Sequence, residues 1–164
     1  MKQFSEIDPL TIANDSRLVA SIPDSTDHET TWYFLVDGDH LIIADAAFRA
    51  ARKRWLHYQI EFPKRGLLWY LDTLQNKFFK TEAEGGLPKG QFHDKNVIDG
   101  ERLKLGRAFN ADGKGGGGYS FVTLDRKESY GTAKEYTFTD EFLFKNGLIQ
   151  VLQNLADKVR AGQL

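Results

Sequence analysis

Thr31-Trp32-Tyr33-Phe34-Leu35-Val36-Asp37-Gly38-Asp39-His40-Leu41-Ile42-Ile43 is the stretch that decides the fold class. Aromatic and β-branched residues fill both of its ends, and an acid-Gly-acid triplet breaks the middle. Glycine accepts positive φ at no steric cost, so Asp37-Gly38-Asp39 predicts a tight turn between two antiparallel strands. On the N-terminal side a strand is expected around Ser16 to Ile22, followed by the acidic stretch Pro23 to Glu29. On the C-terminal side, Asp45 to Arg52 has high helix propensity with Asp45 as a candidate N-cap, and its state stays open. Leu56, Tyr58, Ile60 and Phe62 then alternate with Trp55, His57, Gln59 and Glu61, which predicts a strand over 54–62. Pro63 opens a helix whose apolar stripe is Leu67, Leu71, Leu74 and Phe78.

Gly85-Gly86, Pro88, Gly90 and Asp99-Gly100 mark residues 81–99 as a linker. Beyond it Leu103 and Leu105 alternate with charged residues, and Asp112 to Gly118 reads as a flexible glycine-rich loop. Tyr119 to Leu124 and a run ending at Tyr136-Thr137-Phe138 supply further strands. Thr139 is placed to cap a last helix with the stripe Phe144, Leu148, Leu152, Leu155 and Val159, and Gly162 lies just past its end.

The two halves share an order. Ile60-Glu61-Phe62 leads into a helix containing Leu74-Gln75-Asn76, and Tyr136-Thr137-Phe138 leads into one containing Leu152-Gln153-Asn154. The expected fold is therefore α+β: two ββββα repeats at about 16–80 and 100–161 in one domain, each antiparallel sheet covered on one face by its own helix.

Trp32 to Asp37, His40 to Ala44, and Arg54 to Phe62 with its helix resemble a PUR repeat. Arg102-Leu103-Lys104-Leu105, the glycine-rich loop, Tyr119-Ser120-Phe121-Val122 and Tyr136-Thr137-Phe138-Thr139 are similar to the second half of a Whirly protein. The resemblance spans residues from about 31 to 159 and lacks the Lys-Gly-Lys-Ala-Ala-Leu-type motif of plant Whirly proteins. It implies two ββββα units and binding of single-stranded nucleic acid.

Composition sets wide bounds. The chain has 164 residues, is 41% hydrophobic and 27% charged, and carries a formal net charge of −1. Near-neutrality gives no global electrostatic pull toward nucleic acid or acidic lipid. With no cysteine, disulfides, thiolate metal sites and cysteine nucleophiles are excluded. The start MKQFSEIDPL lacks a signal-peptide apolar stretch, and no run suits a membrane span, so a cytoplasmic setting is expected. No catalytic residues, metal site or cofactor are expected. His28, His40, His57 and His93 lack metal-ligand spacing, there is no Gly-x-Ser-x-Gly elbow, and Lys114 is not followed by the Ser or Thr of a phosphate-binding loop.

Charge is nonetheless segregated. Asp24, Asp27, Glu29, Asp37, Asp39 and Asp45 precede a basic cluster of Arg49, Arg52, Lys53, Arg54, Lys64 and Arg65. Cations attract phosphates, and aromatics stack unpaired bases. The candidate nucleic-acid contacts are accordingly Trp32, Phe34, Arg49, Arg52, Lys53, Arg54, Trp55 and His57, with Arg107 and Tyr119 in the second half. The expected partner is single-stranded DNA or RNA, bound on free sheet faces. Two other classes stay open: a homo-oligomeric interaction module, and a small enzyme with an unrecognised site. Trp69 and Tyr70, off the first helix's stripe, are expected to be left for a partner in a dimer or larger oligomer.

Overall fold

Gly38 takes φ +61°, and Asp37 faces His40 across it, so the acid-Gly-acid break makes a two-residue hairpin turn. In the computed structural model, which describes residues 1–164, this hairpin lies at the centre of a four-stranded antiparallel sheet. Its strands are β1 (Leu18–Pro23), β2 (Thr30–Asp37), β3 (His40–Arg49) and β4 (Arg54–Pro63), in the order β1-β2-β3-β4. The open segment 45–52 resolves as the end of β3 and a turn. Ala46 and Ala47 are buried strand residues, and the Arg52 N–H donates to the Arg49 carbonyl at 3.0 Å. Burial thus overrides the local helix propensity.

The chain forms two compact units, Met1–Phe62 and Pro63–Leu164. In the first, the polar-looking N-terminus is a cover. Ile7 and Ile12, with Phe4, pack on the face of the sheet formed by Leu35, Ile42, Ala44 and Ala46. Gln59 fastens it: its Oε1 accepts the Ile7 N–H at 2.8 Å, and its Nε2 donates to the Ser5 carbonyl at 3.1 Å and to Glu61 at 2.7 Å. The alanines leave room for the covering segment, which is why a helix-favouring run serves in a strand.

The second unit holds both helices. Its order is α1 (Arg65–Thr73), a π-helical turn (Leu74–Phe78), β5 (His93–Ile98), β6 (Glu101–Ala108), β7 (Gly118–Lys127), β8 (Ala133–Thr139), a second π-helical turn (Glu141–Lys145) and α2 (Leu148–Arg160). The sheet order is β5-β6-β7-β8. Residues 93–98, read from sequence as linker, are its first strand. Thr139 caps as expected, accepting the Phe142 N–H at 3.1 Å. The last helix is nevertheless interrupted at Gly147 (φ +96°), so Phe144 leaves the stripe and is exposed while Leu148, Leu152 and Leu155 stay buried.

Tyr70 corrects a sequence expectation. It is fully buried, its ring stacks on Phe121 at 4.7 Å, and its hydroxyl donates to the Val122 carbonyl at 2.8 Å. It is therefore not left for a partner. Helix α1 follows the first sheet in sequence but lies against the second, on the face that carries Leu105 and Phe121, a registered pair of β6 and β7. The same unit encloses an ion pair: Arg126 Nε and Nη2 donate to the Glu101 carboxylate at 2.8 and 3.2 Å. These two side chains are only 5% and 8% exposed.

Candidate nucleic-acid interface

Neither sheet offers the free aromatic face expected from sequence. In the first unit Phe34 is fully buried, and Trp32 is buried with its Nε1–H donating to Asp24 at 2.9 Å. Both are core residues, because the sheet buries apolar side chains on both faces: Phe34 and Ile43 on one, Leu35 and Ile42 on the other. In the second unit, alternation puts Lys104, Ser120, Glu135 and Thr137 on the face opposite Leu105 and Phe121. That face carries no phenylalanine, tyrosine or tryptophan ring: it mixes these polar side chains with buried Val122, and the Ser120 and Thr137 hydroxyls lie 2.6 Å apart.

Two arginines are committed internally. Arg49 reaches Asp27 at 2.7 Å and Glu29 at 3.4 Å. Glu29 also accepts the Ala50 N–H at 3.0 Å, and this bond, with a smaller contribution from Arg49, holds its carboxyl below the usual range. Arg49 therefore ties the hairpin to the acidic stretch and does not offer free charge. Arg107 makes a two-pronged pair with Asp140 at 2.7 and 2.8 Å, which keeps its guanidinium pKa above the ordinary value. It lies over the ring of buried Tyr119, 4.7 Å from the centroid. At Gly117 the guanidinium comes so close that a Cβ would force it to shift. Arg107 and Tyr119 thus build the fold before they offer anything to a ligand.

The remaining candidates converge on the β3–β4 hairpin tip. Residues 50–57 are exposed without interruption, which includes Arg52, Lys53, Arg54, Trp55 and His57. Lys53 takes φ +50°, a left-handed turn position. Arg52, Lys53 and Arg54 enter no ion pair. Trp55 is 40% exposed and meets Phe48, 43% exposed, with ring centroids 5.5 Å apart. By alternation Trp55 and His57 share a face with Gln59, and Phe48 shares one with Ala46 and Ala44. The N-terminal cover occupies that face as far as Ala46 and Gln59, and the aromatic pair projects past it. Phe48 was missed from sequence because 45–52 had no settled periodicity; two aromatics flanking a basic turn was the available signal.

The glycine-rich loop is no open phosphate cradle. Asp112 accepts the N–H groups of Lys114 at 2.7 Å and Gly116 at 2.9 Å, and the Ala111 N–H donates to the Gly116 carbonyl at 2.7 Å. These amides hold the Asp112 carboxyl below its ordinary pKa. The loop's amides are thus turned inward onto Asp112.

A second surface, unread in the sequence, is a cleft of about 980 Å³ within the second unit. The 81–92 segment forms one wall, and Arg107, Phe109 and Tyr119 contribute another. No three His, Asp or Glu side chains are grouped to hold a metal ion, and no helix is long and apolar enough to cross a membrane. No family model, curated protein or solved structure matches the chain.

Proposed function

We propose that the chain is a single-stranded nucleic-acid-binding protein whose contact element is the β3–β4 hairpin tip, not a sheet face. One observation carries this reading: an exposed Phe48–Trp55 ring pair flanked by Arg52, Lys53 and Arg54, none of them in an ion pair. Unpaired cations exchange condensed counterions for phosphates, and exposed rings stack bases that have left a duplex. The near-zero net charge makes this a local site and not a charged whole. A fluorescence anisotropy titration with labelled single-stranded DNA, single-stranded RNA and duplex, each at two salt concentrations, tests it. Preference for single strands with affinity falling as salt rises is expected. Absence of single-strand binding at low salt removes the proposal.

A second reading, a homo-oligomeric interaction module, is favoured by Phe79 and Phe144. They are 53% and 37% exposed and touch with ring centroids 5.6 Å apart. Exposed aromatic patches mark contact surfaces. Light scattering at micromolar concentration separates the readings: a dimer or larger mass that Phe79→Ser and Phe144→Ser reduce to monomer supports the second.

A further inference from the structure

We propose that the cleft of the second unit is a nucleotide site, taking a flat heteroaromatic base against the exposed Phe92 and Phe109 rings and the attached phosphate at its lysine rim. Its volume, about 980 Å³, is at the upper end of small-ligand pockets, which run to roughly 1,000 Å³. Its walls are rings in edge-to-face pairs. Phe92 and Phe109 meet at 4.9 Å and 88°, and Phe78 and Tyr119 at 5.3 Å and 85°. Phe92 is 51% and Phe109 62% exposed, an unusual amount of ring surface to leave to water at one place.

The rim is cationic. Lys77, Lys80 and Lys89 line the cleft, and Glu82 is its one acidic residue. Glu82 is occupied by the Lys89 backbone N–H at 3.1 Å, and Glu84, close by, by the Thr81 N–H and hydroxyl at 3.0 and 2.9 Å. The loop's acids accept its own N–H and hydroxyl groups and Glu84 also feels the Lys80 charge, but three lysines still line the cleft against one lining carboxylate. Arg107 is held by Asp140, so it stiffens the Tyr119 wall instead of meeting the ligand. An aromatic cavity with excess positive charge complements a ligand that is flat at one end and anionic at the other. A purely apolar ligand leaves the lysines unused, and inorganic phosphate leaves the rings wet.

The wall is built in advance. The Leu87 N–H donates to the Lys77 carbonyl at 3.1 Å, and the Gly86 N–H to the Thr81 carbonyl at 2.8 Å. A Cβ at Gly86 would collide with the backbone oxygens of Lys80 and Lys77, so glycine there lets the 81–90 loop seat against the end of the helical segment. Little ordering remains to be done on binding.

Isothermal titration with adenosine 5′-monophosphate, adenosine, ribose 5-phosphate and inorganic phosphate tests the site. The monophosphate is expected to bind at least about tenfold more tightly than each fragment. Phe109→Ala should weaken it about tenfold with an unchanged unfolding midpoint, since the ring is exposed. Lys89→Gln should weaken the monophosphate and leave adenosine unaffected. A 5′-phosphorylated trinucleotide that competes makes the source a strand end, and one that does not makes it the free nucleotide. The Arg52→Ala, Lys53→Ala, Arg54→Ala variant should keep the site, so loss of the hairpin reading leaves this inference standing. A monophosphate that binds no better than ribose 5-phosphate, or equally well to the Phe109→Ala and Lys89→Gln proteins, overturns it.

Discussion

Phe48 and Trp55, on adjacent strands of the first sheet, meet at 5.5 Å and a 55° tilt just where the N-terminal cover ends. The pair is half in water, so its worth to the fold is small and its rings are accessible. Trp55→Ala is expected to reduce single-strand affinity by roughly 1–3 kcal/mol, the range of one base–aromatic stack. The unfolding midpoint should move little. A large drop in midpoint with unchanged affinity would assign Trp55 to the core instead.

Charge at the same tip should be readable apart from stacking. Replacing Arg52, Lys53 and Arg54 together by alanine is expected to weaken binding for every sequence and to reduce the single-strand salt slope by about 2. Arg49→Ala should act differently, because Arg49 is spent on Asp27 and Glu29. Its signature should be a small loss of stability with an unchanged salt slope. Affinity against salt, measured beside thermal unfolding for both variants, separates the two roles.

What the sequence disclosed follows from how local each signal is. The Asp37-Gly38-Asp39 turn, the strand over 54–62 and the Thr139 cap are set by neighbouring residues, and the structure keeps all three, although that strand is exposed on both faces at its start and buried on both at its end. Which face of a strand is covered is a non-local matter. Phe34 and Trp32 looked like a platform because nothing nearby in sequence says that both faces are buried. Tyr70 lay off a helical stripe drawn for its own sheet, yet it stacks on Phe121, fifty-one residues on. The cleft escaped notice for the same reason. Lys77, Lys89, Phe92 and Phe109 come together only after the 81–92 segment folds back on the helical end, and Gly86 reads as a linker residue until its backbone neighbours are known.

The Glu101–Arg126 pair should reveal itself by asymmetry between breaking and replacing it. Glu101→Ala removes the carboxylate from a guanidinium only 5% exposed, and a cost of about 3–5 kcal/mol is expected. The double replacement Glu101→Leu, Arg126→Met removes both charges and should recover much of that loss. Chemical denaturation of the single and double variants measures the difference. A double variant as unstable as the single one would show that packing around the pair, and not its charge, sets the cost.

Acid should loosen the first unit through Asp15 and Asp37. Asp15 is held below its ordinary pKa first by the Arg17 side chain, then by the Arg17 backbone N–H. Asp37 is held low first by Lys2 and then by Arg17, at 2.6 and 2.9 Å. A carboxylate whose folded pKa lies below its unfolded value, near 3.9, binds fewer protons folded than unfolded. Its contribution is complete above about pH 5 and is lost as pH falls through the unfolded value toward the folded one. The wild type should therefore lose stability as pH falls below about 4. Asp37→Asn should be less stable at neutral pH, where the charged partners Lys2 and Arg17 miss its carboxylate, and should lose less on acidification. The two denaturation curves should draw together as pH falls below the unfolded value toward the lowered folded one, where the wild-type carboxylate loses its charge. Parallel curves from pH 7 down to pH 2 would mean that Asp37 acts through turn geometry beside Gly38 and not through its charge.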